Sequence, residues 1–208
     1  MIIKKALPKV GWFFIGLTIL VLLIFAVIRV IETYGGAPTT ELFKVRYIQH
    51  PIVSAIHMFT GIAFVLFAPL QFIKKIRNKH LRLHRILGRI LISFALIAGV
   101  YGMIVGIVLP VFGGVASVTA IWFFGPIFIF SLCRAFWCVR NGKIAQHREW
   151  MIRSFALGIG VGTQRIVVGL FIGFGGYPMV EVFGLALWLG FGINLLVAEV
   201  WINLTRKT

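Results

Sequence analysis

Six long stretches of this chain carry few charged residues, and each is long enough to cross a lipid bilayer as a helix. They occupy residues 10–31, 51–73, 86–109, 115–139, 150–174 and 180–204. A helix of about 20 apolar residues spans the roughly 30 Å hydrocarbon core of a bilayer. Soluble domains are about one-quarter charged, whereas the 208 residues of this chain are 12% charged and 60% hydrophobic. We therefore predict an all-α, polytopic membrane protein in which residues 1–208 form a single transmembrane domain of six helices.

The distribution of positive charge predicts how the six helices are oriented. All but four of the 21 Lys and Arg residues lie on the side of the membrane that holds both termini. Arg29, Lys44 and Arg46 lie on the opposite side, and Arg165 falls inside the fifth span. Since Lys and Arg are enriched in cytoplasmic loops, we expect both termini in the cytoplasm. The net charge of +16 then reflects membrane topology, so we expect membrane lipids and no nucleic acid as partners.

Glycines recur inside the third and fifth spans, where they favour close packing of helices. The third span contains Gly99, Gly102 and Gly106, and the fifth contains a GIGVG run at residues 158–162. Small residues let helix backbones approach each other closely in lipid. The GIGVG run lacks the strand that precedes a nucleotide-binding loop. Neither span shows an evident interruption of the kind found at transport sites, although these glycines could conceal one.

A short motif is repeated after the second and fourth spans. The chain reads KKIRNKHLRLHRILGR after the second span and RNGKIAQHREWMIR after the fourth. Each copy places a His-Arg pair at the start of the next span, with a further Arg within two turns. The repeat indicates two similar hairpins, spans 2 with 3 and spans 4 with 5, related by an axis along the membrane normal. This four-helix core would bring His84 and His147 together on one face, with spans 1 and 6 packed beside it.

Several longer motifs resemble those of a known family. The stretches IHMFTGIAFVLFAPLQF, HRILGR, HREWMIRSFAL, TQR and NLLVAE are similar to motifs of the bacterial predicted membrane proteins grouped as domain of unknown function 2306. The resemblance runs from about residue 50 to about residue 202, and it implies a location in the bacterial inner membrane. It implies no particular activity, because the family has no settled biochemical function. It also implies that ten residues occupy motif positions: His57, Gln71, His84, Arg85, Arg89, His147, Arg148, Arg153, Arg165 and Glu199.

Position along the helices sorts these residues into two levels. At about 1.5 Å of rise per residue, His57 and Arg165 lie at similar depths, away from the side that holds the termini, and Gln164 falls near the same plane. Gln71 and Glu199 come out at the cytoplasmic edge, level with the two His-Arg pairs. A charged side chain deep in the membrane costs about 2.5–3.5 kcal/mol on insertion scales, so we expect Arg165 to face protein or water.

Both levels have a structural interpretation that requires no ligand. Arginines at cytoplasmic helix ends commonly extend to lipid phosphates, and Glu199 can neutralise one of them. The histidines of the repeated motif would then be hydrogen-bonding groups at the membrane interface. His57 would form a hydrogen bond between helices.

A redox function is the first functional hypothesis and the best guess from the sequence. His84 and His147, supplied by different helices, could be the axial ligands of a haem b iron, with the nearby arginines paired to its propionates. A quinone bound near His57 and Arg165 is the alternative redox cofactor. The chain contains no CxxCH motif, so covalent attachment of haem is excluded.

The second hypothesis is binding or transport of a small anionic molecule or a lipid headgroup. Arg85, Arg89, Arg148 and Arg153 supply guanidinium forks that suit phosphate and carboxylate oxygens. A third hypothesis is a structural accessory subunit of a membrane complex. Hydrolysis is the least supported, since the chain contains no Asp and no nucleophile, base and acid fall at one depth. The sequence leaves the substrate, any catalytic residue, protein partners and the oligomeric state open.

Overall fold

The structure, a computed structural model, describes residues 2–35, 42–108 and 112–206. Over these residues it is helical and contains no strand, which confirms the all-α prediction. Six helical segments are long and apolar enough to cross a membrane, as the hydropathy pattern predicted. We number them spans 1 to 6: Lys9–Tyr34, Pro51–Phe72, Leu81–Ile107, Gly114–Arg140, Ile144–Gly175 and Met179–Thr205.

The spans are built from longer and shorter helices. Over the described part of the chain these are α1 (Ile2–Tyr34), α2 (Leu42–Gln49), α3 (Pro51–Phe72), α4 (Lys74–Lys79), α5 (Leu81–Met103), a π-helical turn (Ile104–Val108), α6 (Gly114–Arg140), α7 (Ile144–Gly158), α8 (Gly160–Gly175) and α9 (Met179–Thr205). Span 3 combines α5 with the π-helical turn, and span 5 combines α7 with α8. The short helices α2 and α4 lie in the connections before and after span 2.

Glycine and proline mark several helix ends. Pro51 begins α3, where the missing N–H costs no intrahelical hydrogen bond. Gly113 precedes α6 with φ of 81° and Gly176 ends α8 with φ of 65°, a left-handed backbone that favours glycine. Pro178 then precedes α9. These residues separate helices that would otherwise read as one apolar run.

The packing contains both predicted hairpins. It also places span 6 in closer contact with the core than the sequence predicted. Span 2 packs along span 3, and α6 packs along α7. The last helix, α9, packs against α6, α7 and α8, so it belongs to the core and does not merely flank it. By contrast, only 6% of the most apolar window of span 1 is buried. Its remaining apolar side chains are available to lipid, which explains why hydropathy alone identified this helix so clearly.

Two glycines of α9 explain its close approach to the neighbouring helices. A Cβ at Gly190 would lie 2.7 Å from the Gln164 nitrogen and 2.7 Å from the Gly160 oxygen of α8. A Cβ at Gly184 would lie 2.9 Å from the Gly113 oxygen at the start of α6. These neighbours are backbone atoms, which cannot rotate away. The seam predicted for small residues therefore exists, and it also involves glycines of span 6.

Span 5 is interrupted within its length, where the hydropathy pattern indicated one helix. Ile159, with φ of −91° and ψ of 1°, separates α7 from α8. Asn194 of α9 bridges the interruption, since its Nδ2 donates to the Ala156 carbonyl at 3.0 Å and its Oδ1 accepts from the Thr163 hydroxyl at 2.9 Å. Irregular backbone in a membrane requires such partners from neighbouring helices. The glycines of the GIGVG run thus do conceal an interruption.

The α8–α9 contact predicts that alanine substitutions at two glycines of α9 have different effects on stability. Replacing Gly190 by alanine should lower the thermal unfolding midpoint in detergent by several degrees, because overpacking costs about 1–3 kcal/mol and the clash involves backbone atoms. Gly192→Ala is the matched control, since nothing lies within 4 Å of a Cβ there. Equal midpoints for the two variants would contradict this description of the seam.

The charge bias predicts the orientation of the helices in the membrane. In bacterial cells, a fluorescent reporter fused to the C-terminus should fluoresce, because it stays in the cytoplasm. Alkaline phosphatase fused after Tyr177, between α8 and α9, should be active, because this enzyme requires the other side of the membrane. The reverse result for both reporters would show that the positive charges do not set this topology.

Candidate functional site

A cavity of about 300 Å³ lies among the spans, and we call it the central cavity. Every described helix except α4 contributes to its wall, together with the π-helical turn. Its lining is mainly apolar and rich in phenylalanine: Phe25, Phe64, Phe112, Phe124, Phe128, Phe183 and Phe191. Polar or charged lining residues are Arg29, Tyr47, His57, Ser117, Gln164 and Arg165. An apolar pocket with a few convergent polar groups is typical of small-molecule sites.

His57 occupies one side of this cavity with its imidazole held in a defined orientation. Its Nδ1 lies 2.8 Å from the Ala98 carbonyl of α5. Because a carbonyl oxygen only accepts, Nδ1 carries the proton, and Nε2 of the neutral ring is an acceptor. Gly102 provides the space for the ring, since a Cβ there would lie 2.7 Å from Cε1 and 2.9 Å from Nδ1. The glycine of span 3 therefore serves to position a side chain as well as to pack a helix.

Gln164 borders the same cavity and is fully buried, with 0% of its surface exposed. Neither its Nε2 nor its Oε1 has a hydrogen-bond partner among the described residues. An unsatisfied buried polar group costs about 1–3 kcal/mol. The backbone of Gln164 is fixed against Gly190, so the residue cannot move away readily. Gln164 thus borders the cavity and carries an unpaired, fully buried amide, with one donor group and one acceptor group.

The two arginines of the cavity lie against aromatic rings. The Cζ atom of Arg165 is 5.2 Å from the ring centroid of Phe25 in α1 and 5.7 Å from that of Phe183 in α9. Arg29 forms an ion pair with Glu32 at 2.9 Å and lies 4.7 Å from the Tyr47 centroid. Cation–π contacts of this kind stabilise a guanidinium that is withdrawn from water. Arg165 faces protein and a cavity, as its depth led us to expect.

A second set of polar residues lies on the side of the protein where α3, α6 and α9 end. We call this side the basic face, and it includes Arg148, Arg153 and Arg206. Here Arg153 holds Glu199 through two hydrogen bonds, from Nε to Oε1 and from Nη2 to Oε2 at 2.9 Å. Arg148 donates to the Thr205 hydroxyl at 2.7 Å. All three hydrogen bonds join α7 to α9. The observed role of Arg148, Arg153 and Glu199 is thus to tie helices together.

The end of α9 makes a further bond of this type. The guanidinium of Arg206 donates to both carboxylate oxygens of Glu149, at 2.9 and 3.2 Å. These bonds raise the pKa of Arg206 above its usual value. Sequence reasoning missed this pair, because 57 residues separate its partners. It strengthens the connection between α7 and α9.

The remaining predicted residues of the basic face meet around two imidazoles. His147 donates from Nδ1 to the Ala135 carbonyl at 2.9 Å. His84 lies within electrostatic range of His147 and of Arg85, and its Nδ1 is buried without a hydrogen-bond partner. The two imidazoles are thus within electrostatic range of each other, and a shared site formed by the two His-Arg motifs stays a prediction.

Two predicted residues lie at the margin of this group. The Oε1 atom of Gln71 is buried and unpartnered, and Arg89 is exposed on α5. Sequence reasoning missed Arg77, which interacts electrostatically with both His84 and His147. It stands in a run of basic residues, where no local pattern distinguishes it. Only the three-dimensional arrangement identifies this arginine.

The structure offers limited support for a metal centre. Within the described ranges, no group of three or more His, Cys, Asp or Glu side chains could hold a metal ion. A haem between His84 and His147 needs only two protein ligands, but neither histidine lines the central cavity. The geometry thus separates the two predicted redox sites. The central cavity is lined by His57 and Arg165, the residues of the deeper level.

Comparison with known proteins identifies a family and nothing more specific. No curated protein and no solved structure matches the chain significantly. A family model described as predicted membrane protein (DUF2306) matches residues 54–202. The match includes every predicted site residue at both levels. The chain therefore belongs to this family of predicted membrane proteins.

Proposed function

We propose that the protein binds a quinone in the central cavity, with the quinone ring among the phenylalanines and its oxygens near Gln164 and His57. Quinones dissolve in the hydrocarbon of the bacterial inner membrane, where we expect this protein to lie. Their rings are flat and apolar, and their oxygens accept hydrogen bonds. An aromatic cavity bordered by a few hydrogen-bonding groups matches this chemistry.

The observation that carries the proposal is the buried, unpartnered amide of Gln164. A ligand oxygen within hydrogen-bond distance would recover the free energy that the unpaired amide costs. An amide suits both redox forms of a quinone. Its Nε2 can donate to a quinone carbonyl, and its Oε1 can accept from a quinol hydroxyl.

His57 supports the same ligand from another wall of the cavity. Its Nδ1 proton is committed to the Ala98 carbonyl, which fixes the ring and makes Nε2 the acceptor of the neutral imidazole. A quinol hydroxyl can donate to this atom. The charge of Arg29 is paired with Glu32, and the guanidinium of Arg165 lies against the rings of Phe25 and Phe183.

A carboxylate of fatty-acid type is the second candidate ligand. The specific observation that favours it is the interruption of span 5, because Val161, Gln164 and Arg165 of the following helix all border the cavity. The start of a helix carries a partial positive charge that favours anions. Competition between a quinone and dodecanoate for the same protein would distinguish the two ligands.

The haem hypothesis has less support than the quinone hypothesis. The Nδ1 bond from His147 to Ala135 orients that imidazole as in many haem ligands. However, the central cavity is lined by neither His84 nor His147. An optical spectrum of the purified protein tests this directly. A sharp haem band that disappears in a His147 variant would support haem and overturn the present assignment.

Replacing Gln164 by leucine should have opposite effects on stability and on binding. The thermal unfolding midpoint of the empty protein should rise, because the substitution removes an unpaired buried amide that costs about 1–3 kcal/mol per group. Affinity for a short-chain benzoquinone, measured by calorimetric titration in detergent, should fall about tenfold, which corresponds to roughly 1.4 kcal/mol.

Gln49→Leu is the matched control, since Gln49 is an exposed glutamine at the end of α2 and does not line the cavity. It should leave quinone affinity unchanged. If Gln164→Leu bound the quinone as tightly as the unmodified protein, the proposed headgroup position would be wrong.

Replacing Gly102 by alanine should weaken quinone binding through His57. The new Cβ would meet the imidazole at 2.7–2.9 Å and displace it from the Ala98 carbonyl. We expect about a fivefold to tenfold loss of affinity, consistent with a hydrogen bond worth about 1 kcal/mol. Gly61→Ala is the control, because it also lines the cavity but meets only Ala98 Cβ at 3.9 Å. Equal losses in both variants would argue against a role for the imidazole.

A further inference from the structure

We propose that a phospholipid with an anionic headgroup binds at the end of α6 on the basic face, with its phosphate held by Arg134 and Lys143 beside the indole of Trp137. We call these three residues the lipid site. None of them lines the central cavity, so this proposal does not depend on the quinone. The occupant is a membrane lipid of the phosphatidylglycerol type, which carries one net negative charge.

The lipid site is defined by two cations that contact one aromatic ring. The Cζ atom of Arg134 lies 4.2 Å from the centroid of the Trp137 ring, and the Nζ atom of Lys143 lies 4.8 Å from it. Attraction between each cation and the ring offsets part of the repulsion between the two positive charges. An indole has no hydrogen-bond acceptor that would occupy the N–H donors of these cations. Two charged donor groups are therefore held beside the same ring.

The turn between α6 and α7 fixes Lys143 in this position. The side-chain amide of Asn141 donates to the Trp137 carbonyl at 2.8 Å. Gly142 has a left-handed backbone with φ of 72°, and the Lys143 N–H donates to the Cys138 carbonyl at 2.9 Å. These bonds reverse the chain at the end of α6. A lysine from beyond the helix is thus brought back over its last turn, so the lipid site is built by the local backbone.

The lipid site faces the bilayer and not the protein core. Trp137 is 42% exposed, and Phe130, about two turns nearer the membrane centre on the same face of α6, is exposed as well. Leu132 and Ala135, on the other side of the helix, are fully buried. Because span 4 ends at Arg140, the two cations lie at the membrane edge and the exposed apolar face continues inward. This arrangement matches a phospholipid, whose charged headgroup lies above its acyl chains.

The two cations favour an anionic headgroup over a zwitterionic one. A guanidinium fork presents paired N–H groups to phosphate oxygens, and an ammonium acts as a point charge beside them. A zwitterionic headgroup carries a cation of its own, which Arg134 and Lys143 would repel. Basic residues at the membrane surface attract anionic lipids in the same way. The lipid site should therefore prefer phosphatidylglycerol to phosphatidylcholine.

Lipid retention by the full-length protein tests this preference. The protein is extracted from bilayers of equal phosphatidylglycerol and phosphatidylcholine, and the retained lipids are counted by native mass spectrometry. We expect more phosphatidylglycerol than phosphatidylcholine, and about a fivefold loss of retained phosphatidylglycerol in Arg134→Gln and in Lys143→Gln. Arg140→Gln is the matched control, because Arg140 is exposed at the same helix end and contacts no aromatic ring in the described part of the chain. It should retain phosphatidylglycerol as the unmodified protein does.

A substitution that preserves charge separates the lipid site from the general attraction of the basic face. Trp137→Leu keeps both cations but removes the ring that positions them, so retention of phosphatidylglycerol should again fall. Trp122→Leu is its control, since Trp122 is an exposed indole of the same helix outside the lipid site. Glycerol phosphate, which lacks the acyl chains, should not displace the lipid.

Four results would overturn the proposal. These are equal retention of both lipids by the unmodified protein, equal losses in Arg140→Gln and the two charge variants of the lipid site, unchanged retention in Trp137→Leu, and displacement of the lipid by glycerol phosphate. The first would show that the site does not select anionic lipids. The second and third would show that only the net charge of the basic face matters. The fourth would assign the site to a soluble phosphate compound.

Discussion

Hydrocarbon offers a protein no hydrogen-bond partner, and this constraint decides where the chain is regular and where it is not. Each span satisfies its own backbone by forming a helix. The departures from regular α-helix, at Ile159 and at the π-helical turn Ile104–Val108, adjoin residues of the central cavity. At the first of them, Asn194 bonds to α7 and to α8. Irregular backbone is thus confined to places where neighbouring helices supply partners.

The same constraint separates the polar side chains into two kinds. On the basic face, Arg153 and Arg206 satisfy the two glutamates, and these bonds join α7 to α9. At the cavity, Gln164 remains unsatisfied although it is fully buried. The ion pairs thus have a structural role, whereas Gln164, like His84 Nδ1 and Gln71 Oε1 of the basic face, is buried without a partner among the described residues.

Much of the fold could be predicted from the sequence because the signals are local. Apolar length identified six spans, and the rise per residue placed His57 and Arg165 at one level, where they now border one cavity. The interruption at Ile159 could not be predicted, because it depends on Asn194 some 35 residues later and on side chains packed against the glycines. The electrostatic interaction of Arg77 with His84 and His147 could not be predicted for a related reason, since both histidines lie on other helices.

The sparse packing of α1 has a consequence for how the central cavity communicates with the bilayer. This helix supplies Leu22, Phe25 and Arg29 to the cavity wall, yet it contacts mainly α8 and α3 and buries the least surface of the six spans. Swinging it outward would sacrifice less apolar contact than moving any other span. A hydrophobic molecule could then enter the central cavity laterally from the lipid acyl chains, without passing through water.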